Sequence, residues 1–359
     1  MLKQPQATMD NLPEDLKMAI LLRLPVKSLL RLKCVSKSWF SLISNPNFAK
    51  LHFRGTSQRS HRFLYTTASE IRSIDIDTPL HRDSTTVSLD FPLNQPRTHF
   101  HILGSCRGLL LVLTKQQNLL LWNPSTGFHK HISQPLVSKF VVPCGLCYDE
   151  STDDYLLLLA SRISDIISSF YVFSLRTNSG QRLDLDKEFI SYLPIRGSSV
   201  FNGAFHLLVW LRGAPSTAKI IIAVDIATKN LREVPTPPND VNYTTFGDLG
   251  VLGGCLSLTE YKGDDEIRIW MMGEYGLKSS WSKFMSVNRQ ITRDRMISHD
   301  ILPLCFTKDG ELVAVDSHVT LSKWSDKGEL LEHHEIFVHP RTQFWRPMIL
   351  YTETLLSFP

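Results

Sequence analysis

Leu119-Leu120-Leu121-Trp122-Asn123-Pro124-Ser125-Thr126-Gly127 is an apolar run, a polar turn and a glycine, the pattern of a strand entering a hairpin. The same order recurs at residues 170–180, 220–230, 267–276 and 319–328. The turn residues Gly127, Gly180, Asn230, Gly276 and Gly328 are spaced 53, 50, 46 and 52 apart. A second set, Gly108, Asp154, Gly203, Gly254 and Gly310, lies at or between tight strands, spaced 46, 49, 51 and 56. Each residue singly is accounted for by a turn that needs positive φ; the information is in the shared period. One period before Gly127, residues 71–77 read as a further strand with 62–65 as its partner.

A period near 50 with about four strands per repeat is that of the kelch type of β-propeller. Closing such a ring removes exposed sheet edges. Six blades are expected over residues 61–357, with five as the alternative; a pair of β-sandwiches would not explain the period.

The chain has 359 residues, 43% apolar and 21% charged, enough for a sizeable core and against disorder over most of its length. No run of about 18 apolar residues is present, so no membrane span is expected. The first ten residues are polar and lack an apolar h-region, so no secretory signal is expected either. Six cysteines fit a reducing compartment, and the expected location is the cytoplasm, the nucleus or both. Residues 1–60 carry ten Lys/Arg against three Asp/Glu, whereas the rest carries 29 against 32. The basic residues among the first sixty are interleaved with Leu and Ile, with few aromatics, which favours an acidic protein over nucleic acid or a membrane surface as the partner.

That basic segment is helical in pattern. Pro13 suits a first helical turn, Glu14 and Asp15 sit at the positive end of the helix dipole, and Pro25 ends the helix. A second helix is expected over 26–35, a third capped by Ser36 and carrying Trp39, Phe40, Leu42 and Ile43, and a short fourth over 48–53. Between Leu12 and Leu24, eight of thirteen residues are apolar. Leu16, Ile20 and Leu24 form one stripe and Met18, Leu21 and Leu22 another. A module of about 45 residues has one small core and cannot cover both stripes. The second face packs on the rest of the chain or on a partner.

The stretches 12–16, 20–29 and 34–39 (Leu-Pro-Glu-Asp-Leu, Ile-Leu-Leu-Arg-Leu-Pro-Val-Lys-Ser-Leu, Cys-Val-Ser-Lys-Ser-Trp) resemble an F-box, spanning about 9–55 after a disordered 1–8. The resemblance implies docking on an acidic Skp-family adaptor and, through it, on the cullin and RING subunits of a ubiquitin ligase. It assigns interface roles to Leu12, Pro13, Leu16, Ile20, Leu24, Pro25, Leu29 and Val35, with Trp39 in the module's core. Replacing Leu16 or Leu24 by Asp is expected to abolish adaptor binding and leave the propeller folded. Residues 104–110, 121–127, 145–155, 202–203, 252–256 with Trp270, and 351–356 resemble the F-box-associated domain of plant F-box proteins. The implied role is a substrate receptor of an SCF-type ligase, non-catalytic, that holds a target protein on the propeller. Loops at 80–100, 212–219, 235–248 and 288–300 are candidates for target contact, through Arg97, Arg212, Asn242, Tyr243, Arg289 and Arg293.

Signs of chemistry are sparse. Cys144-Gly145-Leu146-Cys147 has no second pair to complete a zinc site. His99/His101, His129/His131 and His333/His334 lack a third ligand, and no metal or cofactor is expected. No G-x-S-x-G, Walker or G-x-G-x-x-G motif is present. Asp153/Asp154 and Asp264/Asp265 read as turn residues. Trp122, Trp210, Trp270, Trp281, Trp324 and Trp345 read as blade packing. Rival readings are an F-box scaffold outside a ligase, a propeller enzyme with a channel site, and a nucleic-acid-binding propeller.

Overall fold

The computed structural model describes residues 13–55, 61–67, 70–80, 86–92, 100–114, 116, 118–132, 141–163, 166–190, 199–211, 219–238, 244–263, 266–288, 301–316, 320–336 and 349–358. Four helices come first: α1 (Glu14–Leu21), α2 (Val26–Leu32), α3 (Lys37–Ser44) and α4 (Pro46–Gly55). Prolines open three of them, with Pro46 the first residue of α4. Pro13 (φ −52°, ψ 144°) and Pro25 (φ −59°, ψ 150°) stand just before α1 and α2 in extended backbone. α1 stops at Leu21, four residues before Pro25, which has no N–H to continue the helix onto the Leu21 carbonyl. Ser36 caps α3, its Oγ accepting from the Trp39 N–H at 3.3 Å. Asn45 ends α3 with extended backbone, and its Oδ1 then accepts from the Asn47 N–H at 2.8 Å to open α4. The module's core is built from Leu21, Leu29, Trp39, Ile43, Phe48 and Phe53, each at most 9% exposed. His52 is buried beside them and hydrogen-bonds the Leu24 carbonyl through Nε2 at 2.9 Å.

The rest is a ring of six four-stranded antiparallel blades, so the five-blade alternative falls away. Blade 1 takes β1 (His61–Thr66), β2 (Ile71–Asp75) and β3 (Thr86–Leu89). Blade 2 is β4 (Phe100–Cys106), β5 (Leu109–Thr114), β6 (Leu119–Trp122) and β7 (His129–Ile132). Blade 3 is β8 (Val141–Asp149), β9 (Asp154–Ile163), β10 (Ile166–Ser174) and β11 (Ser179–Ile190). Blade 4 is β12 (Ser199–Phe201), β13 (Ala204–Leu211), β14 (Lys219–Asp225) and β15 (Leu231–Val234). Blade 5 is β16 (Thr244–Leu252), β17 (Cys255–Lys262), β18 (Glu266–Met272) and β19 (Trp281–Asn288). Blade 6 is β20 (Ile301–Phe306), β21 (Leu312–Asp316), β22 (Thr320–Trp324) and β23 (Leu330–Glu335). The last strand, β24 (Ile349–Thr352), returns to β1 with His61 opposite Thr352 and becomes the innermost strand of blade 1. Ring closure thus joins the two ends of the propeller.

Blades pack face to face, which explains the unbroken apolar runs. Along β5 and β6, Leu110, Val112, Leu120 and Trp122 turn toward blade 1, where Leu64, Ile71 and Tyr351 meet them. Their sequence neighbours Leu109, Leu111, Leu119 and Leu121 turn toward Leu157, Leu159 and Phe173 of blade 3. A strand buried on both faces has no polar side to show. Each such leucine contributes about 1.5–3 kcal/mol on burial. Arg62 fastens the closure: it donates to Ser73 Oγ at 2.8 Å and to the Ser73 carbonyl at 3.0 Å, and stands 3.7 Å from the Glu353 carboxylate.

The structure adjusts the periodic turns. Gly108, Gly127, Gly203, Gly254, Gly276, Gly310 and Gly328 have positive φ. Gly180, Asn230 and Asp154 do not take that role; Asn178 (52°), Lys229 (59°) and Asp153 (53°) do, one or two residues earlier. A shift that small leaves the period intact. The stretch 80–100, read as a loop, contains β3. One feature had no signal in the sequence: β11 runs past its blade and pairs with β13, Phe189 opposite Leu211, so blades 3 and 4 share one sheet.

Candidate functional surfaces

In α1 the two apolar stripes part company. Leu21 is fully buried, and Met18, Leu22 and Leu24 pack partly buried against the core. Leu16 is 52% and Ile20 39% exposed. Pro13 and Pro25 are exposed beside them, and Val35, after α2, is 64% exposed. Phe40 on α3 adds an aromatic ring, 56% exposed, with the Lys33 ammonium 5.9 Å from its centroid. Sequence reading noted Phe40 only as a helix residue; its spacing from Trp39 by 100° could have marked it as outward.

Of the residues assigned to the interface, Pro13, Leu16, Ile20, Pro25 and Val35 are exposed. Leu24 is half-buried and helps hold the module together. Leu29 requires correction: at 0% exposure it belongs to the core, since its helix turns that side toward Trp39 and Ile43. Leu12 lies outside the described residues.

α4 joins the helices to the ring. Its Lys50 Nζ sits 2.7 and 2.8 Å from the two carboxylate oxygens of Asp153, in the turn between β8 and β9. The Lys50 bond, followed by that of Tyr148, holds the Asp153 carboxyl well below the usual carboxylate range. The Arg107 guanidinium lies 4.8 Å from the Phe53 ring and 3.8 Å from that of Tyr148, in the turn between β4 and β5.

Strand direction then fixes the two sides of the ring. In every blade, the connections after the first and third strands leave one face, and those after the second and fourth leave the other. Arg107 and Asp153 follow first strands, so the helical module sits on the first of these faces. Arg97, Arg212, Asn242, Tyr243, Arg289 and Arg293 lie outside the described residues. The strands flanking them (β3 and β4, β13 and β14, β15 and β16, β19 and β20) end on the opposite face.

Cys106, Cys144, Cys147 and Cys305, like Trp122, Trp270, Trp281 and Trp324, are structural in their surroundings. Cys144 and Cys147 are fully buried, and burial raises the Cys147 thiol well above its ordinary value; Cys106 and Cys305 are pushed up to about 12 for the same cause. Trp122, Trp281 and Trp324 are buried, and Trp270 Nε1 donates to Glu260 at 2.8 Å. Among the described residues, no three His, Cys, Asp or Glu side chains are grouped to hold a metal ion. No described helix is long and apolar enough to cross a membrane.

Comparison with known proteins fits this two-part build. Residues 9–51 match the F-box domain family and residues 62–344 match the F-box associated beta propeller domain family. F-box/kelch-repeat protein At3g23880 of Arabidopsis thaliana is 30% identical over 295 residues, covering 77% of this chain and 79% of that one. F-box protein CPR1 of the same plant is 27% identical over 347 residues, covering 89% and 82%. With a helical module that keeps Leu16 and Ile20 outward and a six-bladed ring closed by its last strand, this chain belongs to the F-box proteins that carry an F-box associated beta propeller domain.

Proposed function

We propose that the protein is a substrate-recognition subunit of an SCF-type ubiquitin ligase, acting in the cytoplasm, the nucleus or both. The F-box docks on a Skp-family adaptor and, through it, on the cullin and RING subunits; the propeller holds a target protein. The observation that carries this reading is the exposure of the apolar side chains Leu16, Ile20 and Val35 on a basic module, on the ring face opposite the strand ends that flank the long connections. An apolar centre within a basic surround suits an acidic partner. The ring then acts as a spacer. It keeps the adaptor on one side and leaves the other for the target, whose lysines are brought near a ubiquitin thioester. Catalysis is by raised local concentration, and no residue of this chain takes part in bond making.

The test is a paired pull-down from plant extract under proteasome inhibition, with the full chain and the chain carrying Leu16→Asp and Ile20→Asp as baits. Recovery of a Skp-type adaptor and cullin by the first bait only, with a further protein held by both and accumulating under inhibition, is the expected result. A further protein whose level ignores proteasome inhibition would point to a scaffold outside a ligase. Adaptor absent from the full-chain bait would overturn the reading.

A further inference from the structure

The F-box does not own its whole core. Leu355 and Leu356, from the far end of the chain, are 8% and 5% exposed and pack with Leu21, Trp39, Ile43 and Phe53. The backbone that carries them is clasped by blade 2. Asn123, itself fully buried, donates from Nδ2 to the Thr354 carbonyl at 3.0 Å and to the Leu356 carbonyl at 2.7 Å. Its Oδ1 accepts from the Ser125 N–H at 2.8 Å, so both ends of the amide are committed. The Thr354 N–H reaches Ser125 Oγ at 3.3 Å. Phe358 follows, 6.1 Å from the Tyr155 ring and beneath the Lys130 ammonium at 4.0 Å. Gly108 leaves the room: a Cβ there would stand 2.3 Å from the Thr352 carbonyl oxygen.

These features are those of a peptide site. Paired carbonyls are read by one side-chain amide, two leucines enter an apolar cleft, and an aromatic anchor follows two residues on. We propose that the cleft between the F-box helices and the blade 2 turn is a peptide-binding site, filled in cis by residues 354–358, and that its occupancy holds F-box and propeller in one orientation. Covalent attachment immediately after β24 gives the segment a high effective concentration at the cleft. The strand just before the segment, β24, closes the ring, so F-box seating and ring closure stabilise each other. This inference stands apart from the ligase reading.

The test uses the full chain carrying Leu355→Asp and Leu356→Asp, which empties the cleft, and a fluorescent peptide of residues 353–359 with the native sequence. Fluorescence anisotropy is expected to show saturable binding to this variant and none to the wild type, whose site is filled. Adding Asn123→Ala is expected to weaken that binding at least tenfold. X-ray scattering of the emptied variant is expected to show the helices released from the ring, with the wild-type profile restored by saturating peptide. An emptied variant that takes up no peptide and scatters as wild type would overturn the proposal. If the aspartates prevent folding, Leu355→Ala with Leu356→Ala is read by the same two measurements.

Discussion

Leu16→Asp and Ile20→Asp are expected to remove adaptor binding while leaving the fold intact. With Leu16 52% and Ile20 39% exposed, about half of the 1.5–3 kcal/mol available on burying such a side chain is still to be gained, about 1 kcal/mol each. An aspartate in the same place adds the cost of stripping water from an unpaired carboxylate, several kcal/mol even after relaxation. The total per site is about 4 kcal/mol, a loss of roughly a thousandfold in affinity. Stability should move by no more than about 0.5 kcal/mol, because neither side chain is in the core. Titration calorimetry against a purified Skp-type adaptor gives the first number and thermal melting gives the second. Leu29→Ala is the contrasting variant: from a site with 0% exposure it costs about 2–5 kcal/mol of stability, so any binding loss there is accompanied by a fall in Tm. Single aspartate variants that bind within threefold of wild type would refute the assignment of this face.

Three further outcomes follow from the geometry. Gly108→Ala meets both a left-handed backbone (φ 82°) and the Thr352 carbonyl, whereas Gly254→Ala at φ 77° meets open space; the second should cost about 1–2 kcal/mol and the first clearly more, as two Tm values will show. Burial lowers His206 to about 4 from 6.5, so between those pH values the unfolded chain takes up a proton that the folded one does not. Stability is therefore expected to fall as pH drops through that window, by about 3 kcal/mol in all, and a denaturant series on His206→Phe should lack this slope. Because the folded-state value of Asp153 is depressed below 3.8, the Lys50–Asp153 contact contributes fully above that pH and fades as the carboxyl protonates below it. The pair is partly exposed, so the Tm difference between wild type and Asp153→Asn should be small at pH 7 and vanish in acid.

Much of this architecture was legible in the chain, and the reasons are local. A turn needs left-handed residues wherever it falls, so Gly108, Gly203 and Gly254 kept the beat of the ring. Leu109 to Leu113 had to be apolar on both sides because blades stack on blades, and Ser36, Pro13 and Pro25 marked helix starts through backbone chemistry alone. The residue-level register was less secure. Asn178 and Lys229 took the left-handed positions expected of Gly180 and Asn230, since another residue one or two places away in such a turn can accept that backbone at modest cost.

The candidate site was legible by type and not by face. Alternation told that Leu12 to Leu24 carried more apolar surface than a small module can bury, yet not which residues would stay outside. Leu29 and Leu16 look alike in one dimension. Only packing made the first core and the second surface. Leu355 and Leu356 stand over three hundred residues from the helices they complete, and Asn123 clasps a segment more than two hundred residues away. By itself, then, the sequence determined the elements and their period, because turns, caps and two-sided burial act over a few residues. Tertiary structure alone decided how the last strand closes the ring, which α1 stripe faces out and where the tail lodges, because those follow from which distant apolar surfaces shed water together.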